Sequence, residues 1–294
     1  HVTSGAFHVK TDWEFRNGSA AVMSNSMVSF EGNGISYIRS FEANSAFFNL
    51  YNSKETGSLY VSNTSTDTLK VNGSIVSPLY GVSFYTNSTL PIVIKENLWA
   101  TGPVYCPQGT IIFKGPSSVI QLVSGGYLNN VIINTVGNVT LNDSIVVNGN
   151  LTIESGALVP DGNPVHVKGN WINNVGTDGF VEGTGLVVFE GSAGSDILTD
   201  ETFYNLNIEK TYTGYDGVEF GDSISVQGDL LIKTGTMEMN YGSRLYIGNK
   251  LKILTGAGLN ANDSDVMIYS AEDWIDNNLT TTTTTGFNAG TSSV

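Results

Sequence analysis

One unit recurs along this chain, and a unit copied several times is a scaffold before it is anything else. Val9-Lys-Thr-Asp-Trp13, Ile94-Lys-Glu-Asn-Leu-Trp99, Val167-Lys-Gly-Asn-Trp171 and Ile247-Gly-Asn-Lys-Leu251 follow one another at nearly even spacing. Each of the first three is followed by a run ending in Phe-x-Gly: Met27-Val-Ser-Phe-Glu-Gly32, Thr110-Ile-Ile-Phe-Lys-Gly115 and Leu186-Val-Val-Phe-Glu-Gly191. An Asn-aliphatic step comes next, at Asn49-Leu50, Asn130-Val131 and Asn205-Leu206. Residues 145–156 then match residues 224–235 at a constant offset, position for position.

Comparing the copies separates buried from exposed positions. Val28 and Phe30, Ile111 and Phe113, and Val187 and Phe189 stay large and apolar, whereas Ser29, Ile112 and Val188, and then Glu31, Lys114 and Glu190, drift. Side chains alternate across a strand, so the constant parity faces the core. The same comparison places Ile145, Val147, Leu151, Ile153, Val165 and Val167 inside, with their partners Ile224, Val226, Leu230, Ile232, Leu245 and Ile247.

Short apolar runs separated by Gly, Asn, Asp, Ser and Thr, with no sustained helical period, make the chain all-β. About three and a third tandem repeats of ~79 residues suit an open coil better than a closed propeller. The expected fold is a right-handed parallel β-solenoid, each unit supplying three or four rungs; the alternative is a row of β-sandwich modules. One repeat domain is expected over residues 1–276, with units at 7–92, 93–165, 166–245 and a partial 246–276. Residues 277–294 form a Thr-rich tail. The pattern breaks over residues 74–90 and beyond Tyr269, where contacts between subunits are expected.

Composition points outside the cell. Charged residues are 14% of the chain, well under the usual quarter, so surface polarity rests on uncharged groups. A net charge of −14 with three arginines disfavours nucleic acid and anionic membranes as partners. No apolar run is long enough to cross a bilayer as a helix, so no membrane-spanning helix is expected. The chain opens at His1 without an initiator Met, as expected after removal of a preceding segment. Cys106 is the single cysteine, which excludes an internal disulfide; it reads as a buried small hydrophobe or as an intersubunit thiol. Asn17, Asn63, Asn72, Asn87, Asn138, Asn142, Asn150, Asn262 and Asn278 are candidate N-glycosylation acceptors, so covalent glycans are expected partners. In the tail, Thr280, Thr281, Thr282, Thr283, Thr284, Thr285 and Phe287 are candidates for a stalk or for intersubunit contacts.

Catalytic signatures are missing. The chain has no Gly-x-Ser-x-Gly, His-Glu-x-x-His, Cys-x-x-Cys or P-loop motif, so no catalytic residue, cofactor or metal ligand is assigned and no enzyme is expected. His8 and His166 occupy matching outward positions where other units carry Val93 and Tyr246, which reads as surface packing. Asn260-Ala-Asn-Asp263-Ser-Asp265 resembles a sparse Ca²⁺ loop but lacks the glycine and distal glutamate of an EF-hand, so it reads as a turn. Asp12, Asn97, Asn170 and Asn249 are expected to set corners, as are Asn49, Asn130 and Asn205. Trp13, Trp99 and Trp171 read as core or corner packing, or else as a sugar-stacking ladder.

The gly-asn-trp, val-x-phe-x-gly and phe-x-asn-leu series over residues 167–232 resembles the β-helix repeats of large secreted bacterial and archaeal surface proteins, and the likeness runs from Phe7 to about Tyr269. It implies stalks, adhesin shafts or envelope material with no catalytic set to transfer. The expected function is therefore a structural subunit of an extracellular homopolymer, a filament, sheath or surface layer. Alternatives are an adhesin shaft or glycan-binding β-helix and, less favoured, a polysaccharide lyase or hydrolase.

Overall fold

A computed structural model of the chain describes residues 4–15, 23–39, 45–62, 68–211, 217–262, 264–268, 274–277 and 286–289. Among them are strands, turns and bends and no helix, and every strand pairing is parallel. Antiparallel β-sandwich modules are thereby excluded. The chain forms two compact units, His1–Asn148 with Ser155–Leu158, and Gly149–Glu154 with Val159–Val294. Their boundary falls inside the second tandem repeat.

Each unit is a parallel β-solenoid. In the second, Val165–Val167, Leu186–Gly191, Asn205–Lys210, Leu230–Thr234 and Leu251–Ile253 stack on one face. Glu201–Phe203, Ser223–Val226, Arg244–Ile247 and Asp265–Ile268 stack on another. Trp171–Asn173, Ser195–Ile197, Val218–Phe220, Thr236–Met239 and Gly258–Asn260 make the third. On the first of these faces Leu186 stacks on Asn205, Leu206 on Leu230 and Leu230 on Leu251, so the rung is far shorter than the sequence repeat, which spans about four of them.

The longer repeat does not close on itself. Leu151 and Ile153 pair with Trp171 and Asn173, but their matched partners Leu230 and Ile232 lie on a different face, between Leu206/Ile208 and Leu251/Ile253. Val165 and Val167 likewise share the face of Leu230, whereas Leu245 and Ile247 lie on the next. One full repeat thus advances the chain to a neighbouring face rather than by whole turns. In-out alternation survives the change, and every one of the twelve inward positions is at most 1% exposed.

Two outward positions are corrected. Ser29 and Val188 are buried, at 3% and 2% exposure. Each is short and sits in register between larger neighbours, Ser29 between His8 and Tyr51, and Val188 between His166 and Asn207. The Trp alignment also fails at one copy. Leu98 takes the inward place and leaves Trp99 47% exposed, because the second copy carries one extra residue before its Trp. Trp171 is fully buried.

Corners are held by side chains of one rung bonding the backbone of the next. Asn49, Asn97, Asn150, Asn170 and Asn205 use Oδ1 to accept from the amides of Ser74, Val119, Asn170, Asp196 and Asp229, at 2.8 to 3.0 Å. Asp12 does the same for Tyr37 at 2.9 Å. The glycine of Phe-x-Gly is kept for two different reasons. Gly32 and Gly191 have φ of 78° and 90°, where a Cβ is strained, whereas a Cβ on Gly115 would collide with the carbonyl of Lys95.

Candidate functional site: an outward tyrosine column

The first unit carries a row of five tyrosines that the repeat comparison did not bring out. Ile35–Arg39, Ser58–Val61, Ser83–Thr86, Val104–Tyr105 and Gly126–Tyr127 stack in parallel on one face. Their alternation buries Ile38, Leu59, Phe84 and Val104 and turns Tyr37, Tyr60, Tyr85, Tyr105 and Tyr127 outward. The register is unbroken, Tyr37 on Tyr60, Tyr60 on Tyr85, Tyr85 on Tyr105 and Tyr105 on Tyr127. Successive ring centroids are 5.5, 4.8, 6.3 and 5.4 Å apart, with tilts of 37° to 58°. All five rings are half-buried, and no hydroxyl of the row has a hydrogen-bond partner among the described residues. At one end the Arg39 guanidinium lies 4.1 Å from the Tyr37 ring centre and 3.3 Å from Asp12.

The sequence-derived candidates are scattered. Asn87, Asn138, Asn142, Asn150 and Asn262 are exposed, and Asn72 is half-buried; Asn17, Asn63 and Asn278 lie outside the described residues. Asn262 donates from Nδ2 to Glu238 and to the Met239 carbonyl, so its amide is engaged in the stack. Thr280 to Thr285 also lie outside the described residues. Phe287 belongs to a rung, since Gly286–Asn288 pairs in parallel with Gly258–Asn260 and its ring packs edge-on against Trp274 at 4.7 Å. In the segment set apart by its broken pattern, Ile75–Ser77 and Ser83–Thr86 are ordinary rung strands, and the turn between them exposes Leu79 and Tyr80.

His8 and His166 are equivalent, as read. Each stands beside the Glu of the next rung's Phe-Glu-Gly, His8 against Glu31 at 2.5 Å and His166 against Glu190 at 3.2 Å. Where the second copy has Val93 in place of His, it has Lys114 in place of Glu, so the pair changes together as a surface contact. In the Asn260 loop, Asn260 and Asn262 donate to the carboxylate of Glu238. Tyr246 faces outward, but its register neighbours are Ser225 and Met267, so it joins no aromatic column.

Cys106 is 1% exposed and its thiol donates to the Gln108 carbonyl at 2.9 Å. Burial pushes that thiol up to about 11. The native protein should therefore resist a thiol-specific reagent at pH 8 and titrate one thiol once unfolded. Rapid labelling of the folded chain would contradict this placement.

Three buried polar groups also escaped the sequence. Lys210 is fully buried and its Nζ donates to the carbonyls of Lys168 and Glu190 at 3.0 and 2.8 Å and to Ser195 Oγ at 2.6 Å. Burial pulls its ammonium down to about 8, with Glu190 pulling the other way. Lys54 holds the matching place in the first unit, donating to Ser36 Oγ at 3.0 Å and to the Glu31 carbonyl at 3.4 Å. Both lysines pair in register with the glycine of Phe-Glu-Gly, Lys54 with Gly32 and Lys210 with Gly191. In the second copy a buried Thr135 bonds the Gly137 carbonyl instead. Glu201 is 2% exposed and accepts from Trp171 Nε1 at 2.6 Å, Asn173 Nδ2 at 2.9 Å and the Thr202 amide at 3.0 Å.

Fold and face together define a parallel β-solenoid with polar corner bridges and an aromatic outer column. No family model, curated protein or solved structure matches the chain.

Proposed function

We propose that the chain is a structural subunit of an extracellular homopolymeric assembly, a filament, sheath or surface layer in which β-solenoids pack side by side or pair end to end. The supporting observation is the way each rung completes the next. Asn and Asp side chains bond the following backbone, and the buried Lys210 ties the carbonyls of Lys168 and Glu190, on successive rungs, together. A chain so cross-bridged gains stiffness along its stack. A parallel stack can also be extended by a further strand at an open edge. The low charge and the exposed Asn-x-Ser/Thr sites fit a surface carrying covalent glycans outside the cell.

Negative-stain micrographs of the purified protein, with sedimentation over a range of concentrations, test this reading. Elongated particles that lengthen with concentration are expected. A monodisperse monomer at the highest concentration would overturn it.

A further inference from the structure

We propose that the tyrosine column of the first unit binds an extended, uncharged polysaccharide laid along the row from Tyr37 to Tyr127. This goes beyond the structural reading and stands without it, since a chain that never polymerises still presents the column.

Shape favours a linear occupant. Four rung steps of about 4.8 Å make a strip on the order of 20 Å long and one side chain wide. Such a strip offers on the order of 200 Å², against about 800 Å² per partner for a stable protein interface. A second copy of this chain or another folded protein would find too little to bury here. A chain of pyranose rings needs no more width than one side chain. In its extended β-linked form it advances by roughly one strand spacing per sugar, the same step as the tyrosines.

Chemistry agrees with shape. A pyranose has apolar C–H faces and a rim of hydroxyls. Each tyrosine offers a ring for the first and, for the second, a hydroxyl with no hydrogen-bond partner among the described residues. Apart from Arg39, the residues two places before and after the rings on the same outward parity are uncharged, including Ser58, Ser62, Ser83, Asn87, Pro103 and Pro107. Arg39, at the end of the row, is already paired with Asp12. With a net charge of −14 the protein repels polyanions, so the column suits a neutral chain.

Native electrophoresis of the full chain through gels containing hydroxyethyl cellulose, glucomannan, xylan or laminarin, with polygalacturonate as the anionic comparator, tests the proposal. At least one neutral polysaccharide should retard the wild type, and polygalacturonate should not. The Tyr60→Ala/Tyr85→Ala pair should weaken that retardation about tenfold, whereas Tyr241→Ala, at an 84% exposed tyrosine of the second unit, should leave it unchanged. The Tyr60→Phe/Tyr85→Phe pair keeps the stack and removes two hydroxyls, and should weaken binding about threefold even if the alanine pair does not fold.

The proposal is overturned if no neutral polysaccharide retards the wild type, or if polygalacturonate alone does. It is also overturned if folded alanine or phenylalanine pairs bind as the wild type does. Sedimentation showing a dimer that the alanine pair dissolves, with no glycan binding, would assign the column to a second copy instead.

Discussion

Replacing Lys210 with alanine should cost the second unit about 3 to 5 kcal/mol, because the change strands buried acceptors that water cannot reach. Lys210 Nζ serves the carbonyls of Lys168 and Glu190 and the hydroxyl of Ser195, so one side chain satisfies groups contributed by three segments. Holding a charge in the interior is itself costly, as the lowered position of the ammonium shows. Removing it is worse, because the partners remain and their desolvation is no longer offset. For a unit of this size the loss corresponds to a fall of roughly 10 °C in melting temperature. Lys54→Ala should cost the first unit less, since its Nζ reaches two acceptors and one of them lies at 3.4 Å. Thermal melts followed by hydrogen exchange, which reports each unit separately, measure both. A loss below about 1 kcal/mol for Lys210→Ala would mean that the carbonyls find other donors.

Stability of the second unit should fall as the pH rises from about 4.5 to about 7. Glu201 carries the larger part. Burial pushes its carboxyl up to about 7, against the opposing pull of Asn173, Trp171 and Thr202. A carboxyl raised in the folded state binds its proton more tightly there than in the unfolded chain. Its stabilising contribution is therefore complete below the unfolded value of 4.5 and is lost as the pH passes through 7. The shift amounts to about 3 kcal/mol. Glu238, also raised by burial and held by Asn260, acts in the same direction. Glu209 is lowered, so its contribution disappears only as the pH drops below the ordinary carboxylate range. Glu201→Gln keeps an acceptor for Trp171 and Asn173 and removes the titration, so its melting temperature should be nearly flat over this window, and flatter still with Glu238→Gln. Near-UV circular dichroism of the buried Trp171, recorded during melts from pH 4 to 8, reads the effect. Equal slopes for wild type and Glu201→Gln would show that the carboxyl does not titrate there.

The internal repeat made the core legible because burial is decided by parity, and parity survives copying. All twelve positions assigned inward from residues 145–153, 165–167, 224–232 and 245–247 are buried. Four of the expected corner asparagines, Asn49, Asn97, Asn170 and Asn205, accept from a backbone amide of the next rung, whereas Asn249 donates to the Asp229 carboxylate instead. The tyrosine column is hidden at the period of the longer repeat. Tyr37, Tyr60, Tyr85, Tyr105 and Tyr127 recur once per rung, and a comparison at the period of the longer repeat dispersed them among unmatched positions. Lys54 and Lys210 were visible as charges on an inward parity, at the same place in two copies, and that conflict was the available signal. Nothing local marked Glu201, whose partners Trp171 and Asn173 come from a strand more than one rung earlier.

By itself the sequence determined the all-β class, the tandem unit, the inward parity of the strands whose copies align and the absence of any catalytic motif, because all of these follow from alternation and spacing along the chain. Tertiary structure alone decided the length of the rung, the movement of the longer repeat from face to face, and which outward residues stand above one another. The reason is that parallel pairing joins residues one rung apart through loops of unequal length. A difference of one residue in a loop, such as the extra one ahead of Trp99, turns an aligned side chain from the core to the surface. Stacking then converts a chain position into a column, as it does for the five tyrosines of the first unit.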